Sequence, residues 1–160
     1  MDTRTSKANY YLDIADAVLN RSTCLRRKYG AIIVKSDEIL STGYNGAPRG
    51  RVNCTDLGEC YRDKLGLLPG ERYELCRSVH AEANAIISAA RRDMLDGTLF
   101  LVGWDAKTGA LLTDPSPCAM CRRLIINAGI RAVVMRTGPD SFRTVDVREW
   151  ITGDDSLGRT

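Results

Sequence analysis

The first half of the chain carries one helical repeat of apolar residues, followed by two short apolar runs. Apolar positions recur at helical spacing over residues 5 to 20, which predicts an amphipathic helix. Residues 30 to 35 and 38 to 44 are typical of strands, and Ser36-Asp37 between them favours a turn. We therefore expect a helix followed by a β-hairpin.

The second half alternates helices with strands. Apolar spacing predicts one helix over residues 80 to 94 and another over residues 121 to 128. Apolar runs at residues 98 to 102 and 131 to 135 predict strands, whereas residues 144 to 151 fit both a strand and a helix. A strand–helix–strand unit implies a parallel strand pair joined by a right-handed crossover. The order of elements predicts an α/β fold.

No regular pattern is found between the hairpin and the second helix. Glycine and proline punctuate residues 45 to 79, which predicts a long loop. A loop of this length inside a compact domain is unusual, and it tends to be functional or to be held by another part of the protein. Three of the six cysteines, Cys54, Cys60 and Cys76, lie in it.

Length and composition predict one globular domain over residues 1 to 160. Hydrophobic residues make up 44% and charged residues 27% of the chain, which is ordinary, and the formal net charge of +3 is too small to predict nucleic-acid binding. No apolar run is long enough to cross a bilayer, and the first residues lack an apolar signal region. We therefore expect a cytoplasmic protein whose reduced cysteines favour metal ligation over disulfides.

The candidate chemistry lies in two short motifs, one at His80 and Glu82 and the other at Pro117, Cys118 and Cys121. One imidazole and two thiolates can hold a tetrahedral zinc ion and leave its fourth position open for water. Zinc lowers the pKa of a bound water from about 15.7 to about 7, and a carboxylate that is not a ligand can then carry protons. The pattern H-x-E…P-C-x-x-C is the known signature of zinc deaminases.

Each motif alone has an ordinary interpretation. A single histidine is more often structural than a ligand, and a lone C-x-x-C is also typical of a redox pair or of half a structural zinc site. Here both motifs fall at the predicted starts of helices, and Cys118 and Cys121 are spaced to share one helix face. The combination favours a catalytic zinc site.

On these motifs the chain resembles the cytidine deaminase superfamily, and more closely its deoxycytidylate (dCMP) deaminases. The resemblance extends from about Arg21 to Arg136. The motif G-Y-N-G-x-P separates dCMP deaminases from deaminases of free nucleosides, bases and tRNA. Beyond the zinc motifs, the resemblance is carried by S-T-C-L-R-R from Ser22, G-Y-N-G-A-P-R-G from Gly43, E-L-C-R-S-V-H-A-E from Glu74 and I-I-N-A-G-I from Ile125.

The resemblance implies a three-layer α/β/α fold with a mixed sheet of about five strands. It implies that His80, Cys118 and Cys121 bind the catalytic zinc and that Glu82 shuttles protons. The implied reaction is hydrolytic loss of ammonia from C4 of cytosine, which converts dCMP to dUMP in pyrimidine deoxynucleotide metabolism and supplies dTMP.

The resemblance also implies residues that contact nucleotides. Asn45, with its neighbours Tyr44 and Gly46, is expected to touch the sugar or a regulatory nucleotide. Arg91, on the polar face of the helix that begins at His80, is expected near the phosphate, because arginine suits phosphate geometry. The alternative for Arg91 is a solvated helix end.

Two features depart from the usual family pattern. Residues 103 to 116 form an insertion before the P-C-x-x-C segment and are expected to make a hairpin-like excursion near the active site. Some family members hold a second, structural zinc with cysteines and histidines, but this chain has no spare histidine. A four-thiolate site, or alternatively four buried free thiols, is then expected from Cys24, Cys54, Cys60 and Cys76.

Several functions stay open at this point. The substrate can be another cytosine nucleotide, such as dCTP or CMP, while a tRNA deaminase is disfavoured by the small net charge and by G-Y-N-G-x-P. A non-catalytic zinc module that binds nucleotides for regulation is disfavoured by Glu82, because such a module needs no proton carrier. The resemblance further implies activation by dCTP, inhibition by dTTP and a homo-oligomer, with a hexamer favoured. We expect no nucleic-acid and no membrane partner.

Overall fold

In the computed structural model, which describes residues 2–153, five strands form one mixed sheet. The strands are β1 (Arg27–Lys35), β2 (Glu38–Tyr44), β3 (Thr98–Asp105), β4 (Ala132–Arg136) and β5 (Phe142–Asp146), arranged in the order β2-β1-β3-β4-β5. The helices are α1 (Lys7–Leu19), α2 (Cys54–Leu57), α3 (Tyr61–Lys64), α4 (Ala81–Ile87), α5 (Arg91–Met94), α6 (Ala119–Ala128) and α7 (Arg148–Thr152), and a 3-10 helix covers Tyr73–Leu75. Among residues 2–153, no helix combines the length and the apolar character needed to traverse a bilayer.

Apolar side chains of the central strands alternate between two cores, one on each face of the sheet. On one face, Ile32 and Phe100 pack with buried residues of α1. On the other face, Ala31 and Leu101 pack with buried residues of α4 and α6. Helices therefore cover both faces, and the predicted three-layer α/β/α fold with a mixed five-stranded sheet is confirmed.

Strand direction determines where the helices begin. β1 is antiparallel to both β2 and β3, so β2 and β3 run in the same direction and end at the same edge of the sheet. We call this the β2–β3 edge; it contains Tyr44, Asp105 and, at the start of β1, Arg27. A short antiparallel bridge between Gly46 and Val79 returns the chain to this edge just before α4. α6 follows β3 and leads into the parallel strand β4, as the predicted crossover requires.

Two glycines allow helices to lie directly on the sheet. A Cβ atom at Gly30 would lie 2.1 Å from the carbonyl oxygen of Ala15 in α1. A Cβ atom at Gly43 would lie 2.3 Å from the carbonyl oxygen of Ala81 in α4. Any side chain at Gly43 would therefore push the first turn of α4 away from β2. The glycine that opens the G-Y-N-G motif thus fixes the position of that turn.

The prediction of one continuous helix over residues 80 to 94 is wrong. α4 ends at Ile87, and α5 begins separately at Arg91. The hydroxyl of Ser88 donates to the carbonyl of Asn84, and Ala90 has extended backbone angles (φ −75°, ψ 137°), so the helical hydrogen bonds stop there. Apolar spacing continues across the break because α5 also turns Met94 into the core.

The two uncertain stretches contain more regular structure than their sequences indicate. Residues 144 to 151, which fit both a strand and a helix, are divided between the end of β5 and the start of α7. The long loop of residues 45 to 79 holds α2, α3 and the 3-10 helix.

The insertion of residues 103 to 116 is a hairpin-like turn that extends β3. Trp104 bridges to Leu111, and the backbone amide of Leu112 donates to the carbonyl of Gly103. The carboxylate of Asp105 accepts the backbone amide of Lys107 at 2.8 Å, which tightens the turn. The insertion therefore has a defined conformation beside the β2–β3 edge.

Candidate active site

Three potential metal ligands meet at the β2–β3 edge. His80 is the N-cap of α4, Cys118 is the N-cap of α6, and Cys121 lies in the first turn of α6. The Sγ atoms of Cys118 and Cys121 lie 3.5 Å and 3.4 Å from Nδ1 of His80. In the described part of the chain, this is the only group of three such donors whose atoms all lie within 4.8 Å of one another.

These distances fit a tetrahedral zinc ion. With Zn–N near 2.0–2.1 Å and Zn–S near 2.3 Å, the nitrogen–sulfur edge of a regular tetrahedron is about 3.6 Å. The two nitrogen–sulfur distances of 3.5 Å and 3.4 Å are close to this value. One imidazole nitrogen and two sulfurs are also the donors that zinc prefers. His80, Cys118 and Cys121 are therefore placed to hold a zinc ion.

The electrostatics of the three ligands favour a bound cation. A hydrogen bond from Cys121 lowers the pKa of Cys118 to about 4, so one sulfur is a thiolate at neutral pH. The same hydrogen bond, together with burial, raises the pKa of Cys121. Burial alone would lower the pKa of His80, but Cys118 and the carboxylate of Glu82 outweigh it and raise that pKa. Zinc would replace the protons that this set otherwise retains.

Glu82 lies beside the ligands without belonging to them. It occupies the first turn of α4 and is only 5% exposed. Burial raises the pKa of its carboxyl group, and Oε2 accepts a hydrogen bond from the Cys121 thiol at 3.6 Å. A carboxyl group with a raised pKa can take up and return a proton near neutral pH, which suits general acid–base work.

A cavity of about 220 Å³ opens beside these residues and contains Asn45 in its wall. Oδ1 of Asn45 accepts the Ser22 hydroxyl at 2.6 Å and the Tyr29 amide at 2.8 Å, and Nδ2 donates to the Arg27 carbonyl at 2.8 Å. Asn45 therefore joins the end of β2 to the start of β1 and forms part of the cavity wall. Its position agrees with an expected nucleotide contact, which stays a prediction.

Tyr44 and Gly46 do not line this cavity. The side chain of Tyr44 is partly exposed, and its carbonyl accepts the side-chain amide of Asn84 in α4 at 2.8 Å. Gly46 exchanges backbone hydrogen bonds with Val79, just before His80. Both residues thus help to position the first turn of α4.

Arg91 lies away from the metal ligands, and its expected phosphate contact stays a prediction. This residue belongs to α5 rather than to the helix that begins at His80, and its Nε donates to the carbonyl of Asn127 at 2.6 Å. Asn127 lies near the C-terminal end of α6, whereas the metal ligands lie at the N-terminal ends of α4 and α6. Arg91 therefore lies at the far end of these helices and does not line the cavity.

Sequence analysis missed the contacts that hold the long loop over the site. Arg62 is 5% exposed and donates to the carbonyls of Leu68 and Glu71. Its guanidinium lies 4.5 Å from the centre of the Tyr73 ring, whose edge in turn meets His80 at 4.8 Å between ring centroids. No local spacing links these residues, because the loop has no periodic pattern.

The four cysteines of the expected second zinc site surround the same cavity. Burial raises the pKa of the Cys54 thiol, and the other three thiols raise it further. Within residues 2–153, the group of three potential ligands that comes together is the one at His80, Cys118 and Cys121, which contains none of these four cysteines. The second zinc stays a prediction from the sequence. The residues are Cys24, Cys54, Cys60 and Cys76.

Comparison with known proteins agrees with the zinc site that the geometry of the ligands indicates. The sequence profile described as "Cytidine and deoxycytidylate deaminase zinc-binding region" matches residues 5–137. The deoxycytidylate deaminase of Mycobacterium phage D29 is 38% identical over 130 residues, which cover 78% of this chain and 90% of that protein. The Schizosaccharomyces pombe deoxycytidylate deaminase is 32% identical over 134 residues, 84% of this chain, but the match spans only 38% of that longer protein.

Solved structures of deaminases also have folds similar to that of this chain. A dCMP deaminase from cyanophage S-TIM5, in complex with dCMP and dUMP, is 27% identical with a TM-score of 0.58, covering 84% of this chain and 83% of that one. A cytidine deaminase from Burkholderia pseudomallei also has a TM-score of 0.58, at 18% identity, with coverage of 90% and 95%, and supports the fold alone. With its ligands, its fold and its family profile in agreement, the chain belongs to the cytidine and deoxycytidylate deaminase family.

Proposed function

We propose that this protein is a zinc-dependent hydrolase that converts dCMP to dUMP and ammonia. The observation that carries the proposal is the meeting of His80, Cys118 and Cys121 at ligand distances, with the buried Glu82 beside them. The names of the phage and yeast relatives, and the nucleotides bound in the S-TIM5 enzyme, support dCMP as the substrate.

Bound zinc would supply the nucleophile by lowering the pKa of a coordinated water to about 7. Glu82 would take a proton from that water and deliver it to N3 of cytosine, which makes C4 more electrophilic. The hydroxide would add to C4. Glu82 would then take the proton of the new C4 hydroxyl and pass it to the amino group, so that the C4–N bond breaks, ammonia leaves and the C4 carbonyl of dUMP forms. Burial suits Glu82 to both steps, because a raised pKa brings its proton affinity closer to those of its partners. Tyr73, packed against His80, would shield the reacting atoms from bulk water.

The proposal predicts a preference among cytosine compounds. Purified, zinc-loaded protein should release ammonia from dCMP with a kcat/KM well above those for dCTP, CMP, deoxycytidine and cytosine. An ammonia assay with equal concentrations of the five compounds measures this preference. Turnover of another compound alone would retain the chemistry and reassign the substrate, whereas no turnover of any would favour a binding module.

Glu82→Gln tests the proton carrier. The amide has nearly the same shape but cannot carry protons, so kcat for dCMP should fall by about 10²–10⁴-fold. Zinc content and the circular dichroism spectrum should match those of the wild type. Glu59→Gln is the matched control, because Glu59 lines the same cavity on its exposed loop side and should retain activity. Retained turnover in Glu82→Gln would refute the mechanism.

Metal analysis tests the ligands. We expect one zinc ion per wild-type chain and none in Cys121→Ser, since a hydroxyl replaces one of the three donors. Cys54→Ser should retain its zinc, because Cys54 is outside this group. A second zinc in the wild type that is lost in Cys54→Ser would instead establish the four-thiolate site.

We further propose a homo-oligomer, with a hexamer expected, that dCTP activates and dTTP inhibits. Ile87 of α4 and Met120 and Leu124 of α6 are 69%, 41% and 43% exposed, and a second copy would cover such apolar side chains. Light scattering should give a multiple of the chain mass, reduced by Leu124→Glu but not by Leu68→Glu in the loop. A monomeric wild type, or activity unaffected by either triphosphate, would contradict this proposal.

A further inference from the structure

The chain approaches the metal ligand Cys118 through residues 113 to 117, which belong to no helix or strand. We call these residues the approach segment; its two prolines, Pro115 and Pro117, are buried. Among the described residues 2–153, the backbone of the approach segment takes part in one hydrogen bond, which the carbonyl of Pro117 accepts. Because neither a strand ladder nor a helix fixes this stretch of backbone, side chains must hold it in place.

Arg122, at the end of the first turn of α6, donates that hydrogen bond. Its side chain points toward the N-terminal end of the helix, as helical side chains commonly do, and its Nε lies 3.1 Å from the carbonyl oxygen of Pro117. The backbone amide of Arg122 donates to the carbonyl of Cys118 at 2.9 Å. Arg122 thus contacts the carbonyls of two consecutive residues, the second of which is a metal ligand.

The guanidinium of Arg122 lies over an aromatic ring of α7. Its Cζ is 5.1 Å from the ring centre of Trp150, which is within the range of a cation–π contact. Trp150 is partly buried and packs against the core that contains α4 and α6. Val147 anchors α7, since its side chain is buried and its backbone amide donates to the carbonyl of Arg131 at 2.9 Å. The ring of Trp150 therefore restricts the orientation of Arg122.

Arg143 of β5 contacts the approach segment at a second point. Its Nη2 donates to Oδ1 of Asp114 at 2.8 Å and to the hydroxyl oxygen of Ser116 at 3.1 Å. The Ser116 hydroxyl donates in turn to Asp114 at 3.1 Å. Ser116 lines the cavity beside the metal ligands. Because Arg143 lies opposite Met135 in the pairing of β5 with β4, these contacts join the approach segment to the sheet.

We propose that Arg122 and Arg143 are positioning residues, which hold the approach segment so that Cys118 stays in place to bind zinc. Trp150 acts through Arg122. The elements β5 and α7, which lie beyond the part of the chain that resembles the deaminase family, thereby gain a role at the metal site. Contacts that orient a metal ligand commonly affect metal affinity and activity. This inference rests on the proposed zinc-dependent function and concerns the stability of its metal site.

The test measures how fast zinc leaves the protein, by transfer of the ion to an excess of a coloured chelator. Arg122→Ala should raise the dissociation rate about 10-fold, since contacts that orient metal ligands contribute about 10-fold to 100-fold to metal affinity. Trp150→Leu and Arg143→Ala should raise it about threefold, because a cation–π contact and a partly exposed ion pair are weaker. The visible absorption spectrum of the Co²⁺-substituted protein, which reports ligand geometry, should change in Arg122→Ala.

Matched variants separate positioning from a general loss of stability. Arg123→Ala removes a neighbouring, exposed arginine from the same helix as Arg122. Arg148→Ala removes an arginine of α7 that is 64% exposed and pairs with Asp146. Both variants should keep the wild-type dissociation rate. Trp150→Phe retains an aromatic face for the guanidinium, so it should restore most of what Trp150→Leu loses.

A double variant tests whether Trp150 acts through Arg122. Once the guanidinium is absent the ring has no cation to orient, so the variant with both Arg122→Ala and Trp150→Leu should match Arg122→Ala alone. If the two effects multiply instead, the role of Trp150 is overturned.

Three outcomes would decide the inference as a whole. Unchanged dissociation rates in both Arg122→Ala and Arg143→Ala would overturn it, and so would equal effects in the two control variants. If Trp150→Leu does not fold, Arg143→Ala still decides, because Arg143 is 52% exposed and can be removed without disturbing the core. A wild type that holds zinc but does not deaminate dCMP would contradict the proposed function alone, whereas a wild type that holds no zinc would overturn both.

Discussion

The antiparallel pairing of β1 with both of its neighbours is the constraint on which the site depends. It makes β2 and β3 run in the same direction and end at one edge of the sheet. Each of these strands leads to a helix on the same face, so the N-terminal ends of α4 and α6 meet. His80 and Cys118, the residues that cap these helices, consequently face each other across 3.5 Å.

Close packing sets the position of the first turn of α4. Gly43 leaves room for the backbone of Ala81 against β2, and the bridge from Gly46 to Val79 fixes the residue before His80. Protein interiors are packed so tightly that one added carbon atom at Gly43 would displace the first turn of α4 and the metal ligand next to it. The G-Y-N-G motif thus has a structural role alongside any contact that it makes with nucleotides.

The long loop and the residue just before β1 both place arginines in the cavity wall beside the metal ligands. Arg62 stacks on Tyr73 over His80, and Arg26 is held by Asp63 at the cavity wall. Burial raises the pKa of Glu82, and a bound zinc ion would allow both cysteines beside it to be thiolates. The same arginines would also suit the anionic nucleotide that we propose as the substrate.

The sequence by itself determined the features that depend on local spacing. The hairpin and the alternation of helices with strands follow from apolar periods of 3.6 and 2 residues, which can be read from neighbouring positions. The metal ligands and Glu82 could be named because the two short motifs match the zinc deaminase signature, to which the chain's family resemblance added their roles. Other features could be established only from the tertiary structure. The position of Arg91 beside Asn127, and the ion pairs of Asp63 with Arg26 and Lys107, depend on contacts between distant segments. No local period encodes such contacts, because they arise when the sheet and the long loop pack together.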